Sequence, residues 1–551
     1  MRSLKKYLGT VVGIMLVSAC NPNEFLEVKN PNSLSTDSFW ANASDVQQGL
    51  VGVYATLQLD GMLGSGSTTS HPVRSDVGRP NNWNANARAL NTLEFNANTA
   101  IVQRRWRDSY IGVYRANQVL ANLAVIDMES ELRTQIEAEA RFLRGFFYYS
   151  LYRGYNKGSV IIHTTPPENR EEFYKQPSPA SEVYALILSD LEFAYEHLPE
   201  TYPEDQLGRA TWGAAAAMLG KLHINERDFD KALPYFQQVV ESGIYLLTRD
   251  IGDNFDEEHE FNSESIFEVP FSIDAKPGTS WGASDGPTGS EATTRARVLG
   301  PAGSSGGFRV VMPSYWMTML FRNDTMDRAN PINADRTGTA NYSIRTSVSV
   351  AIADDDNTTL YMEPSDAGGQ YNNTEAAYMK KFQNWQLDRE DPLSISGINE
   401  RVIRLADVMM LYAECLIETG GSYETALDMV NQIRTRAGVP LLNAADYNPQ
   451  SLMEHIMWVE RPLELMFEGF DTRWEDLTRW GKVKEQYERL AQNQYVQKSK
   501  VLYFYDPVLD AAFTPMPDDH VEAAALYDPD LHDYFPIPAD ETTSNPDILD
   551  E

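Results

Sequence analysis

At 551 residues, with 42% hydrophobic content, the chain can bury a large core, and length alone is a soft prior for three or four domains. Its 10 Trp, 28 Tyr and 22 Phe are numerous enough that many must lie on surfaces or in grooves. A formal net charge of -33 argues against nucleic acid as a partner, because phosphate backbones are tracked by basic patches; the acidity reads as a solvated exterior and identifies no ligand.

The chain opens with Arg2, Lys5 and Lys6, then an apolar run from Tyr7 to Val17, then Val17-Ser18-Ala19-Cys20. A basic start, a short apolar stretch and small residues at a boundary describe an export signal over residues 1–19. The run is far short of the ~20 residues of a spanning helix. Its small-small-Cys ending resembles the lipobox of bacterial lipoproteins, in which the Cys becomes the first mature residue and is acylated; an ordinary signal peptide ending near a Cys is the alternative. Each buried methylene contributes about 0.8 kcal/mol to anchoring, so a multiply acylated Cys20 holds a membrane firmly. Cys415 is the only other cysteine, so lipid on Cys20 leaves no disulfide possible. Residues 20–36, with Pro22 and Pro31, read as a tether to a body over 37–551.

Helical spacing dominates that body. Val46, Leu50, Val53 and Leu57 mark a helix over Asp45 to Leu59. Trp106, Tyr110, Val113, Asn117 and Leu120 mark the next, and Ile136, Ala140, Leu143, Phe147 and Leu151 mark one over Glu131 to Tyr152. Ser181 to His197 and Arg209 to Ile224 form a pair in which Ala214 to Ala217 and Gly220 permit close approach. Phe229 to Ser242 follows, with Pro234 expected near its first turn. Ile403 to Glu418 and Tyr423 to Ala437 form another pair stopped by Gly438, and Leu452 to Phe467 is the last strong helix. Helix pairs recurring at roughly 34 residues read as a mainly α, tetratricopeptide-like repeat array over about 100–245 and 400–482; a non-repeating helical domain is the alternative. Two insertions interrupt it, about 61–100 and 271–400. Gly61 to Ala100 is rich in Gly, Ser, Asn and Thr around Trp83, and Phe271 to Gly307 is rich in Gly, Pro and Ser around Trp281. Irregular segments of that length are usually functional or disordered, and polar loop tips bearing a lone Trp are candidate ligand surfaces.

No catalytic constellation stands out. Gly303-Ser304-Ser305-Gly306-Gly307 satisfies G-x-S-x-G but follows no apolar strand. The eight histidines show no metal-ligand spacing, and neither H-E-x-x-H nor a phosphate loop occurs. Asp354-Asp355-Asp356-Asn357 offers oxygen ligands for calcium without the spacing or glycine of a known loop, and reads rather as a solvated acidic turn. Among 79 acidic residues chance pairs are guaranteed, so adjacency alone does not make a glycosidase. The expectation is a protein with no cofactor, no metal and no enzymatic activity.

Several segments, in order, carry a resemblance. They are Glu137 to Tyr149, Arg209 to Leu222, Asp228 to Leu233 and Arg404 to Glu414. A C-terminal block adds Glu460-Arg461, Phe467-Glu468-Gly469, Trp474 to Leu477, Arg479-Trp480-Gly481 and Tyr534 to Pro538. With Cys20, these make the chain resemble the SusD/RagB outer-membrane lipoproteins nearly end to end. Pro462, where a basic residue is usual, Phe470 in place of a common His, and an extra residue or two before Trp474 depart from the pattern. The resemblance implies a single SusD-like domain of tetratricopeptide-like helices with a loop-rich ligand face. It also implies lipid anchorage at the outer membrane, facing the cell exterior. The implied task is non-catalytic capture of oligosaccharides, or of peptides in some members, as the lid of a SusC-like TonB-dependent transporter barrel.

Sugars present apolar faces ringed by hydroxyls, which flat aromatics and amide side chains satisfy together. Trp83 and Trp281 are therefore expected to form a stacking platform, with Asn81, Asn82 and Asn84 as hydroxyl partners; either Trp could instead pin its loop to the helices. Trp106, Trp212, Trp316, Trp458 and Trp474 fall on helix patterns and are expected in the core. A peptide-binding relative, a lipoprotein hydrolase and a purely structural scaffold are the rival readings.

Overall fold

The computed structural model describes residues 39–81, 84–275, 291–301, 307–364, 376–385 and 395–549. The expected signal, tether and Cys20 lie outside these residues, as do Asn82, Trp83, Trp281 and residues 303–306 of the G-x-S-x-G pattern.

Helix α1 (Ala43–Tyr54) starts at Asn42, whose side chain accepts from the Ser44 and Asp45 N–H groups while Asp45 accepts from Asn42, a reciprocal cap. It buries Val46, Leu50 and Val53, as their spacing predicts. Residues 61–100, expected to be irregular, carry two short helices and a strand: α2 (Ser65–Ser70), β1 (Gly78–Pro80) and α3 (Ala85–Asn91). The helical array then runs through α4 (Ala100–Leu123), α5 (Ser130–Gly154), α6 (Ala180–His197), α7 (Trp212–Asn225) and α8 (Phe229–Glu241). After β2 (Ser265–Val269), α9 (Arg295–Leu299), β3 (Val311–Pro313), α10 (Tyr315–Asn323) and β4 (Glu400–Arg404) it resumes as α11 (Leu405–Glu418) and α12 (Tyr423–Ala437).

Each helix from α5 to α8 packs on its predecessor; α8 then packs on α11, and α11 on α12. The array thus closes over the insertion as though residues 242–404 were a side branch. Close approach explains the small residues of α7: Ala214 to Ala217 are fully buried, and a Cβ at Gly220 would lie 2.4 Å from the Phe236 ring of α8. Gly438 ends α12 in the left-handed conformation, φ 70°, as expected.

Three local expectations are corrected. The helix expected from Ile403 starts at Leu405, because Glu400 to Arg404 pair antiparallel with β2. Pro234 is the sixth residue of α8 rather than in its first turn; it is exposed, so the carbonyl it cannot serve faces solvent. The helix expected over Leu452 to Phe467 is broken into α13 (Pro449–His455), a π turn (Ile456–Glu460) and α14 (Arg461–Leu465). Pro462 lacks the N–H that a continuous helix needs, and the wider π turn ahead of it absorbs the misfit. Beyond α14 the chain turns sharply through Phe467, Gly469 and Asp471, all at positive φ, into α15 (Thr472–Arg479). There the Asp471 carboxylate meets Arg105 and, at 3.4 Å, His71.

Those same segments hold a lattice of buried charge. Arg404 donates to Glu264 at 2.7 Å and Glu464 at 2.8 Å and pairs with Glu468, all buried. Arg436 bridges Glu264 and Glu464, and Arg434 donates to Glu460 at 2.8 Å. Nearby, Arg461 pairs with Asp476 at 2.7 Å and Asp407 at 2.9 Å, and Arg479 with Glu414 at 2.6 Å. Buried ions are tolerated only when paired with good geometry. Trp106, Trp316 and Trp474 are buried as expected, while Trp212 and Trp458 are partly exposed.

Candidate functional site

The two Gly- and Ser-rich segments meet. Strand β1 pairs antiparallel with β3, Gly78 opposite Pro313 and Pro80 opposite Val311, and the Asn81 N–H extends the ladder to the Val310 carbonyl at 2.8 Å. Ser65, at the start of α2, accepts from the Thr294 N–H at 2.8 Å and lies 3.0 Å from the Thr293 hydroxyl. Helix α2, Ser-Gly-Ser-Thr-Thr-Ser, has poor intrinsic helix propensity, and its neighbours hold it in place. The Gly66 N–H donates to Asp60 at 2.7 Å, and the Gly61 N–H donates to Asp108 at 2.8 Å. Gly61 has no room for a side chain, since a Cβ there would lie 2.4 Å from the Arg104 carbonyl oxygen.

The bases of both Trp-bearing loops are defined. The Asn84 N–H donates to the Asn81 carbonyl at 3.1 Å, joining the two residues on either side of Asn82 and Trp83. The Ser272 N–H donates to the Glu291 carbonyl at 2.8 Å, closing the longer segment that contains Trp281. Asn84 is the N-cap of α3: its Oδ1 accepts from the Ala87 N–H at 2.9 Å, so only the amide Nδ2 remains for a ligand hydroxyl. Asn81 stands half-buried beside it.

Beside the first of these bases lies a cleft of about 220 Å³, lined by Asp60, Ser65, Thr69, Asn84, Asn86 and Arg104 together with Ile101, Val298 and Val310. Arg104 donates to Asp60 at 2.7 Å and is nearly half exposed. Hydroxyl, amide and one charge pair together with aliphatic side chains suit a neutral, hydroxyl-rich ligand. Sequence reasoning named Asn84 here but missed Asp60, Ser65, Thr69, Asn86 and Arg104. The run Ser65 to Ser70 was a visible signal; the Asp60–Arg104 pair, 44 residues apart, was not. A second cleft of about 280 Å³ opens at the base of the Trp281 segment, lined by Tyr54, Gln58, Arg209, Pro270 and Glu291.

The Asp354 to Asp356 turn spends its carboxylates on its own loop. Asp354 accepts from Tyr342 at 2.8 Å, Asp355 from Ser347 at 2.5 Å, and Asp356 from the Thr339 and Ala340 N–H groups at 2.6 and 2.8 Å. Those backbone donors pull Asp356 down to about 2. Among the described residues one group has cation-ligand spacing: Asp253, Asp256 and His259, with ligand atoms within 4.8 Å of one another. His259 Nδ1 lies 3.0 Å from Asp256, whose hydrogen bond raises the imidazole pKa. No helix among the described residues is long and apolar enough to cross a membrane.

Comparison with known proteins agrees with this architecture. The SusD family pattern matches residues 263–550, and a pattern described as starch-binding associating with outer membrane matches residues 24–224. The chain is 26% identical to SusD-like protein P25 of Formosa agariphila over 516 residues, 86% of this chain and 90% of that one. A SusD superfamily protein from Bacteroides vulgatus superposes with a TM-score of 0.74 at 24% identity, covering 92% of this chain and 98% of the other. Surface glycan-binding protein A from Bacteroides thetaiotaomicron, solved in complex with laminarihexaose, superposes with a TM-score of 0.66 at 19% identity, covering 92% and 99%. With the family pattern spanning more than half of its length, the chain belongs to the SusD family.

Proposed function

We propose that this protein captures oligosaccharides on its loop-rich face, does not cleave them, and passes them to a TonB-dependent transporter barrel in the outer membrane, to which Cys20 tethers it by lipid. The observation that carries the reading is the meeting of the two Gly- and Ser-rich segments, Ser65 with Thr293 and Thr294, near a polar cleft that also holds Ile101, Val298 and Val310. The glycan-bound relative and the starch-binding description of the family pattern support a carbohydrate as ligand. Trp83 and Trp281 would supply stacking faces above the cleft, and Asn81, Asn82 and Asn84 hydroxyl partners. A few stacked rings and hydroxyl contacts correspond to micromolar to millimolar binding, about -4 to -8 kcal/mol, weak enough for release to a transporter. An exposed apolar group near the C-terminus, Tyr503, Phe504, Val508, Leu509 and Phe513, is the kind of surface that a protein partner covers.

The test is titration of the soluble chain beginning at Asn23 against laminarihexaose, maltohexaose, other polysaccharides and a peptide library, with Trp83→Ala/Trp281→Ala run alongside. Glycan binding lost in the folded double variant, with no shortened products, is the expected result. Binding of peptides alone moves the protein to a different ligand class, and product release makes it a hydrolase.

A further inference from the structure

Helix α4 leaves one stripe uncovered. Gln103, Arg104, Arg107, Ile111 and Tyr114 recur at three- and four-residue spacing and line a cleft of about 620 Å³ on the outer side of the helix. The opposite wall is the C-terminal helix α16 (Ala539–Ser544). It is strapped across α4 by the Trp106 indole N–H, which donates to Glu541 at 3.1 Å, and by its own Ala539 N–H, which donates to the Ala97 carbonyl at 3.0 Å. Asn545 donates to the Lys175 carbonyl at 2.9 Å and ties in the segment that carries Phe173. Tyr114 and Phe173, 38% and 48% exposed, line this space and also wall a second pocket of about 220 Å³ with Tyr110 and His163. Burial, helped by Lys175, pushes His163 down to about 4, so that imidazole is uncharged at neutral pH.

The cleft is joined to the candidate site by one residue. Arg104 lines both. It spends one donor on Asp60, and its remaining guanidinium N–H groups make no bond among the described residues; nor do the side chains of Gln103 and Asp540. From Arg104 to Tyr114 the helix rises about 15 Å, the length of a short oligosaccharide rather than of one sugar ring. The lining also selects the ligand class. Arg104, Arg107 and Asp540 interrupt any apolar strip that an amphipathic helix would need, and Asp540 with Glu541 oppose an anion. Exposed aromatic side chains together with spare polar groups suit a neutral chain of flat, hydroxyl-ringed units.

We propose that the cleft walled by Tyr114 and Phe173 is an extension subsite, holding the trailing units of an oligosaccharide whose leading units occupy the Asn84 cleft, with Arg104 spanning the two. This rests on the carbohydrate reading above and adds to it a preference for chain length. The experiment is calorimetric titration of the soluble chain with gluco-, xylo- and manno-oligosaccharides of two and six units. Tyr114→Ala/Phe173→Ala and the conservative Tyr114→Trp are measured beside wild type after their melting curves are matched. Wild type is expected to bind the six-unit sugar at least about tenfold more tightly than the two-unit sugar, the scale of one or two aromatic contacts. The double variant should lose that preference while keeping its two-unit affinity, and Tyr114→Trp should retain it. An unchanged preference in the double variant overturns the extension subsite, as does equal loss of short and long sugars. Absence of any saccharide binding by wild type overturns the carbohydrate reading itself, and this proposal with it.

Discussion

Two regions of this molecule join segments far apart in sequence, and they do so with different chemistry. Where β2, β4, α12 and α14 meet, the joints are guanidinium–carboxylate pairs: Arg404 alone ties Glu264, Glu464 and Glu468 together in the interior. Where α2 meets the segment ahead of α9, the joints are a serine hydroxyl, two threonines and a few backbone N–H groups. Neutral hydrogen bonds contribute about 1 kcal/mol each and tolerate replacement. A buried ion pair is a stricter specification, because losing one partner strands the other in a low dielectric. The scaffold is therefore tied by charge, and at this joint the candidate ligand face is held by weaker, neutral bonds. Of the residues that carry the family resemblance, Arg404, Asp407, Glu414, Glu460, Arg461, Glu468, Asp476 and Arg479 lie in the charged lattice, and none lines the Asn84 cleft.

The largest effect should follow from breaking the lattice. Arg404→Met leaves three buried carboxylates short of their cation, and such losses destabilise by about 3–5 kcal/mol. Denaturant unfolding should show a midpoint well below that of wild type; a variant within a few tenths of a kcal/mol would mean that packing alone holds this region. Acid should reach the same lattice more gradually. Burial works to raise the Asp407 carboxyl, but Lys221 and Arg461 outweigh it and hold it at about 2, below its ordinary 3.8. Its contribution of about 2 kcal/mol is full above pH 4 and is lost as pH falls through about 2. Glu400, beside Arg295 of α9, titrates the opposite way. Burial pushes it up to about 7 from 4.5 despite Arg295, so its effect on stability turns unfavourable as pH rises from about 4.5 through 7. Thermal melts across pH 2–9 should show both limbs, and Glu400→Gln should flatten the second alone; an unaltered neutral limb would remove Glu400 as its origin.

On the face itself effects should be smaller and local. Ser65→Ala strands the buried Thr294 N–H, which costs about 1–2 kcal/mol. Hydrogen exchange should quicken at Thr294 and its neighbours while the α4 to α8 amides are unchanged, and glycan affinity should fall. Exchange that quickens throughout the chain would show that scaffold and face are one cooperative unit.

The scaffold was legible because its signals are local. Tyr423 to Ala437 with Gly438 behind it matched residue for residue, since periodicity and a left-handed stop both act within a few positions. Glu400 to Arg404 misled for the same reason: Val402 and Ile403 continue an apolar pattern, and only β2, more than a hundred residues earlier, makes them a strand. In the cleft, Asn84 could be named from its polar neighbours, but Ser65 bonds to Thr293 across 228 positions and Arg104 to Asp60 across 44. Neither pairing leaves a trace in local pattern.

Asn84 offers the finest division between the two regions, because one side chain serves both. Its Oδ1 caps α3, and the residue also lines the cleft, with Nδ2 as its remaining donor. Asn84→Ala removes both groups and should cost about 1 kcal/mol of stability, the usual scale of a lost N-cap. Asn84→Asp keeps the acceptor, so α3 stays capped, while the donor offered to a sugar hydroxyl is gone. Paired measurement of unfolding and glycan titration should therefore find Asn84→Ala weakened in both and Asn84→Asp weakened in binding alone. If Asn84→Asp binds as tightly as wild type, the residue belongs to the scaffold's side of the division, and Asn86 and Arg104 become the hydroxyl partners that remain.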